Sequence, residues 1–174
     1  GNSNTCTVLL TGDDTTPPVP TCEDPQTIIL NADCKLSVPD LTNGAGATDN
    51  CASVFSWTQI PAAGDLLPSG EGTIHTVTVT AGDNNGNQAS CTVELKGDDT
   101  TPATPTCEPN RIIAVDANCQ LTVPNLIDNV SATDNCSTSF SWSQSTTEGT
   151  IVPSGEGVNY TVTVTVNDGN GNLA

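Results

Sequence analysis

The sequence is poor in the groups that most protein chemistry requires. It has no methionine, one histidine (His75), 3% aromatic residues and only Lys35, Lys96 and Arg111 as basic residues. The net charge of −17 excludes nucleic acid as a partner, since phosphates need cationic contacts, and it argues against an anionic membrane surface. No apolar run approaches the roughly 20 residues that cross a bilayer, so no membrane span is expected. None of the eight cysteines forms a CxxC pair, and one histidine offers no zinc set. The cysteines therefore read as structural disulfides formed outside a reducing cytosol. No segment resembles an export signal, which reads as mature material.

What is present is a repeat. Cys22 and Cys107 stand 107 − 22 = 85 positions apart, and Cys34/Cys119, Cys51/Cys136 and Trp57/Trp142 keep the same offset. Units of about 85 residues bury a thin core and often carry disulfides. His75 becomes Tyr160 in the second copy, no GxSxG occurs, the paired Asp residues read as linker acids and few aromatics are available to line a cleft, so no enzyme is expected.

The regular pattern has period two. In "IHTVTVTA" (74–81) and "NYTVTVTV" (159–166), valines share one face and threonines the other. "VFSWTQ", "SFSWSQ", "CTVEL" and "CTVLL" alternate in the same way, with "NADC", "TNGAGATDN", "PSGEG" and "GDNNGN" as turns between them. The expected fold class is all-β: tandem immunoglobulin-like β-sandwiches of 85 residues, with Trp57 and Trp142 as core plugs.

The segments "ATDNCASVFSW", "TVTVTAGDNNGNQASCTVEL" and "GDDTTPP" resemble the hyalin-repeat (HYR) family. The resemblance covers nearly all of both repeats. It implies sandwich domains strung in tandem in extracellular proteins, including bacterial surface proteins, with adhesive or structural roles and no catalytic residues.

On this reading residues 1–12 are an orphan last strand and 13–18 an acidic, proline-stiffened linker. Residues 19–97 form domain 1, 98–105 a second linker, and 106–174 a domain 2 lacking its last strand. First and last strands of such a sandwich start at one pole, which favours Cys22–Cys91 among the three possible pairings and leaves Cys34–Cys51. The same scheme gives Cys119–Cys136 in domain 2. Cys107 then needs residue 176, and Cys6 has no partner upstream.

Two readings of the complementary defects stand. In one, residues 5–11 of one subunit complete domain 2 of the next, Val8 and Leu10 entering its core and an intermolecular Cys6–Cys107 bond locking a head-to-tail homopolymer. In the other, the chain is a window of a longer tandem surface adhesin with a ligand-binding role. Identical loop lengths in both repeats favour the structural filament.

Oxygen donors gather where loops of one pole are expected: Asp13, Asp14, Asp49, Asn50, Asp83 and Asn85, then Asp98, Asp99, Asp134, Asn135, Asp168 and Asn170. Such a set suits Ca²⁺, which takes six to eight oxygens. The same residues also form ordinary Asx turns, and both readings stay open. "DTT" in each linker makes Thr15 and Thr100 candidates for O-glycosylation.

Overall fold

A computed structural model describes all residues, Gly1–Ala174. The chain is all-β with no helix. The first repeat holds β1 (Val19–Thr21), β2 (Gln26–Ile29), β3 (Lys35–Ser37), β4 (Gly46–Thr48), β5 (Ser56–Ile60), β6 (Leu66–Pro68), β7 (Ile74–Gly82) and β8 (Gln88–Asp98). The second holds β9 (Thr104–Thr106), β10 (Gln120–Thr122), β11 (Ser131–Thr133), β12 (Ser141–Gln144), β13 (Ile151–Pro153) and β14 (Val164–Asn167).

The pairings repeat. β1 runs antiparallel to β4 as β9 does to β11, and β5 to β7 as β12 does to β14. β3 pairs with β6 and β10 with β13. The difference is the main sheet. In the first repeat it has four strands in the order β2-β8-β7-β5, with the long β8 between two neighbours. In the second it is reduced to β12-β14. The counterpart of β8 would start at Leu173, and only Leu173 and Ala174 take it up, bridging Asn167 and exchanging hydrogen bonds with Val166 (2.9 and 3.1 Å).

The chain divides into two compact units. Gly1–Gln26, Ser37–Asp65 and Ile74–Leu95 form one; Thr27–Leu36, Leu66–Thr73 and Lys96–Ala174 form the other. This division does not follow the expected boundary at residues 97 and 98. The expected linker 98–105 also shortens, because Asp98 ends β8 and Thr104 starts β9.

In the first unit Val77, Val79 and Ala81 of β7 are fully buried, as are Val93 and Leu95 of β8. This is what period-two alternation predicts for a sheet covered on one face. In the second unit Val123, Val152 and Val166 are buried. Val162 and Val164, counterparts of Val77 and Val79, are only half-buried, and so are Leu121 and Leu126, counterparts of the fully buried Leu36 and Leu41. Trp57 and Trp142 are half-buried rather than core plugs; Trp57 stands on β5, an edge strand of its sheet, opposite Ala81, and Trp142 on β12 opposite Val166.

Cys22 and Cys91 are bonded, tying the chain after β1 to β8. The pairings Cys34–Cys51 and Cys119–Cys136 do not form; Cys34 bonds Cys136 instead, and Cys6, Cys51, Cys107 and Cys119 are free and exposed. The stretch expected to fold back onto Cys34 is committed elsewhere, because residues 46–48 form β4 and pair with β1. Cys34 thereby falls in the second compact unit, with Cys136, and Cys51 in the first.

Candidate functional site

The acids converge in two sets of three. One oxygen from each of Asp14, Asp49 and Asp83 lies within 4.8 Å of the others, and the same holds for Asp99, Asp134 and Asp168. Each set joins the linker, the turn after β4 or β11, and the turn after β7 or β14. Asp83, Asp99 and Asp168 are each 3% exposed, which is unusual for carboxylates without a cation.

Each carboxylate uses Oδ1 to close its own turn. Asp49 accepts the amides of Cys51 and Ala52 (2.9 and 2.8 Å), and Asp134 those of Cys136 and Ser137 (both 2.7 Å). Asp83 accepts the amides of Asn85 and Asn87 (2.8 and 3.0 Å), and Asp168 those of Asn170 and Asn172 (2.9 and 3.2 Å). Asp14 and Asp99 hold the amides of Thr16 and Thr101. These are Asx turns, so turn formation and convergence hold together: Oδ1 shapes the loop, while Oδ2 accepts an Asn side-chain amide in Asp14, Asp83, Asp99 and Asp168 and has no donor in Asp49 and Asp134.

The remaining oxygens reveal what the centre lacks. Oδ2 of Asp49, Oδ2 of Asp134 and Oδ1 of Asn135 are buried with no hydrogen-bond partner. A buried acceptor without a donor is costly, and each acidic set holds one such carboxylate oxygen, Asp49 Oδ2 in the first and Asp134 Oδ2 in the second, within a cluster of oxygens that fits a hard cation. For Asp83 and Asp168, burial pushes the carboxyl pKa up. Hydrogen bonds from Asn87, Asn85, Asn170 and Asn172 outweigh it and hold both below the ordinary aspartate value.

The other sequence candidates are placed differently. Asn85 Nδ2 donates to Asp14 Oδ2 (3.3 Å) and Asn170 Nδ2 to Asp99 Oδ2 (2.9 Å), so both border the centres. Asn50 Nδ2 faces Cys51 Sγ, and Asn135 Nδ2 donates to the Asn31 carbonyl and faces Cys136 Sγ. Asp13 and Asp98 lie outside the converging sets. Sequence reasoning missed Asn87 and Asn172, which donate to Oδ2 of Asp83 (2.6 Å) and Asp168 (2.9 Å) and to the carbonyls of Asp14 and Asp99. Their signal was the recurring "GN" of each turn. Thr15 and Thr100 are exposed.

The second feature is a groove of about 840 Å³ in the second repeat, between residues 107–115 and 158–164. Its flanks are the counterparts of β2 and β7, so it occupies the place that β8 fills in the first repeat. Val115, Leu121, Leu126, Val162 and Val164 line it. Residues 5–11, which repeat the β8 phrase, pair with nothing: Val8 is 78% and Leu10 88% exposed.

The fold and the two features define an all-β protein stapled by disulfides. The HYR domain model matches residues 13–96, the first repeat with its acidic set. No curated protein matches the chain. Among solved structures it is similar to Drosophila N-cadherin EC1-4, at 15% identity and TM-score 0.42, over 89% of this chain and 47% of that one. It is also similar to protocadherin gammaB7 EC3-6, at 17% identity and TM-score 0.40, over 91% and 45%. The chain spans about half the length of these structures, and likenesses this low leave the fold resting on the strand pairing itself. No helix is long and apolar enough to cross a membrane.

Proposed function

We propose that the chain is the subunit of an extracellular, cell-surface fibre, in which residues 5–11 of one copy fill the groove in the second repeat of the next. The observation that carries this is the match between the groove and the unpaired strand. The groove lies where β8 sits in the first repeat, and Val8 and Leu10 occupy the positions of Val93 and Leu95, which β8 buries to 1% and 0%. Leu173 and Ala174 already pair with β14, and Thr5 is the residue that continues their strand in the repeat register. Backbone hydrogen bonds to both flanks supply the affinity, and the inward side chains set the register. Cys6 then reaches the position equivalent to Cys91, opposite Cys107, and a bond there locks the joint. Such a head-to-tail contact does not close, and it propagates.

Ca²⁺ fits the two acidic sets. Asp14, Asp49 and Asp83 would hold one ion, Asp99, Asp134 and Asp168 another, and bound Ca²⁺ would neutralise the clustered charge and clamp linker to loops. Asp49 Oδ2 and Asp134 Oδ2, buried without donors, support this assignment. The reading gives no residue a catalytic role.

Denaturing electrophoresis of oxidised material, with and without reductant, is the test. A ladder that reduction collapses to chains near 17.7 kDa is the expected result. Monomer under both conditions, from a sample with no fibres by electron microscopy, overturns the proposal. A very large species that survives reduction and denaturation shows instead that the strand comes from a longer polypeptide.

A further inference from the structure

The Cys34–Cys136 bond lies within one compact unit and is framed by two turns. In the first turn, Asn31 Oδ1 accepts the amides of Asp33 and Lys35 (3.0 and 2.9 Å), and Cys34 takes a left-handed φ of 55°. Its carbonyl accepts Ser69 N at 3.3 Å. In the second, Asp134 holds the amides of Cys136 and Ser137. Two polar contacts flank the bond: Asn135 Nδ2 donates to the Asn31 carbonyl (3.2 Å), and the Asp99 amide donates to Glu71 Oε2 (2.8 Å).

Each half of this joint exists once more, unjoined. Asp116 Oδ1 accepts the amides of Asn118 and Gln120 (both 2.8 Å), Cys119 has a φ of 56°, and its carbonyl accepts Ser154 N at 3.0 Å. This is the Cys34 turn again, with Glu156 in the place of Glu71. Asp49 holds Cys51 and Ala52 as Asp134 holds Cys136 and Ser137, and Asn50 faces the Cys51 sulfur as Asn135 faces Cys136. Both cysteines are free and exposed. Moving the bonded pair 34–136 forward by one repeat gives 119–221, and 221 is position 51 counted two repeats (170 residues) further on.

We infer that Cys119 of one copy forms a disulfide with Cys51 of a second copy of this chain, reproducing the Cys34–Cys136 joint between molecules. The inference rests on the head-to-tail order proposed above, which places the first repeat of one copy after the second repeat of another. Asn50 then donates to the Asp116 carbonyl and Glu156 accepts the Asp14 amide across the contact. With Cys6–Cys107, every free cysteine of the chain is used. The reaction couples two thiols into one S–S bond and passes their two electrons and two protons to a low-molecular-weight disulfide such as oxidised glutathione, whose S–S bond breaks and which leaves as two thiols.

The test is assembly of the full chain in a glutathione redox buffer, alkylation of remaining thiols, and peptide mapping under non-reducing conditions. The intrachain Cys34–Cys136 peptide serves as internal reference. The expected result is a Cys51–Cys119 cross-linked peptide in wild type. In a Cys6→Ser/Cys107→Ser variant, covalent multimers should persist through this bond, and adding Cys119→Ser should abolish them. Cys6–Cys107 links with Cys51 and Cys119 still alkylated overturn this inference and leave the donor-strand reading intact. Cys51–Cys119 links that also form when the strand is disabled by Leu10→Asp show that the joint stands and the strand reading fails. Symmetric Cys51–Cys51 or Cys119–Cys119 links, or no intermolecular link at all, overturn the inference.

Discussion

A β-carbon on Gly97 would stand 2.7 Å from the carbonyl oxygen of Gly70, closer than side chains approach backbone. The end of β8 is therefore seated only with glycine at that point. Gly12 is the residue of the unpaired strand at the same repeat position, and a β-carbon there meets nothing within 4 Å. Gly12→Val should leave the melting of the single chain unchanged within about 0.5 kcal/mol, as for other exposed substitutions. It should block assembly, followed by sedimentation velocity. Fibres of normal length from Gly12→Val would show that residues 5–12 do not take the seat of β8.

Leu10 is 88% exposed and its counterpart Leu95 is 0% exposed. In a Cys6→Ser background, Leu10→Ala should weaken association by about 2–3 kcal/mol, roughly 30–150-fold in Kd. Monomer stability should not change. Equal affinity for the two chains would place Leu10 outside the contact.

Removal of divalent cations should expose the repulsion within the two acidic sets. Calorimetric titration is expected to give two Ca²⁺ sites per chain, reduced to one in Asp49→Ala and one in Asp134→Ala. At a hundredfold excess over Kd, each site adds about 2.7 kcal/mol to the folded state, read as a rise in Tm that a chelator reverses. Identical Tm with Ca²⁺ and with chelator would reduce both sets to turn formers.

Asp40 accepts the Thr42 hydroxyl (2.6 Å) and then the Thr42 amide (3.0 Å), and these bonds hold its carboxyl below the ordinary aspartate value. The group binds a proton more readily in the unfolded chain. Its contribution to stability is thus present above the unfolded value of about 3.9 and is lost as pH falls through the lower folded value. The stability gap between wild type and Asp40→Ala, from urea unfolding, should be open at pH 7 and closed near pH 2. A gap that widens on acidification would contradict the hydrogen-bond assignment.

Much of this protein is legible in its sequence because its signals are local. Alternation in "IHTVTVTA" is enough for β7, since a pleated strand half covered by core admits one apolar face. The displaced last-strand phrase at residues 5–11, and the convergence of linker and turn acids, follow from the repeat and the expected sandwich. Which acids meet is less legible. Asp13 and Asp14 are neighbours, yet only Asp14 joins Asp49 and Asp83, because the direction of a side chain depends on backbone turns that composition does not specify.

The sequence by itself determined the 85-residue period and the all-β fold, both of which depend on residue order along one dimension. The tertiary structure alone decided that Cys34 joins Cys136 rather than Cys51. Position 136 is position 51 of the next repeat, so the period is blind to whether a bond stays inside a repeat or leaves it. What separates the two possibilities is tertiary: β4, just before Cys51, pairs with β1, and Cys34 groups with Cys136 in the other compact unit.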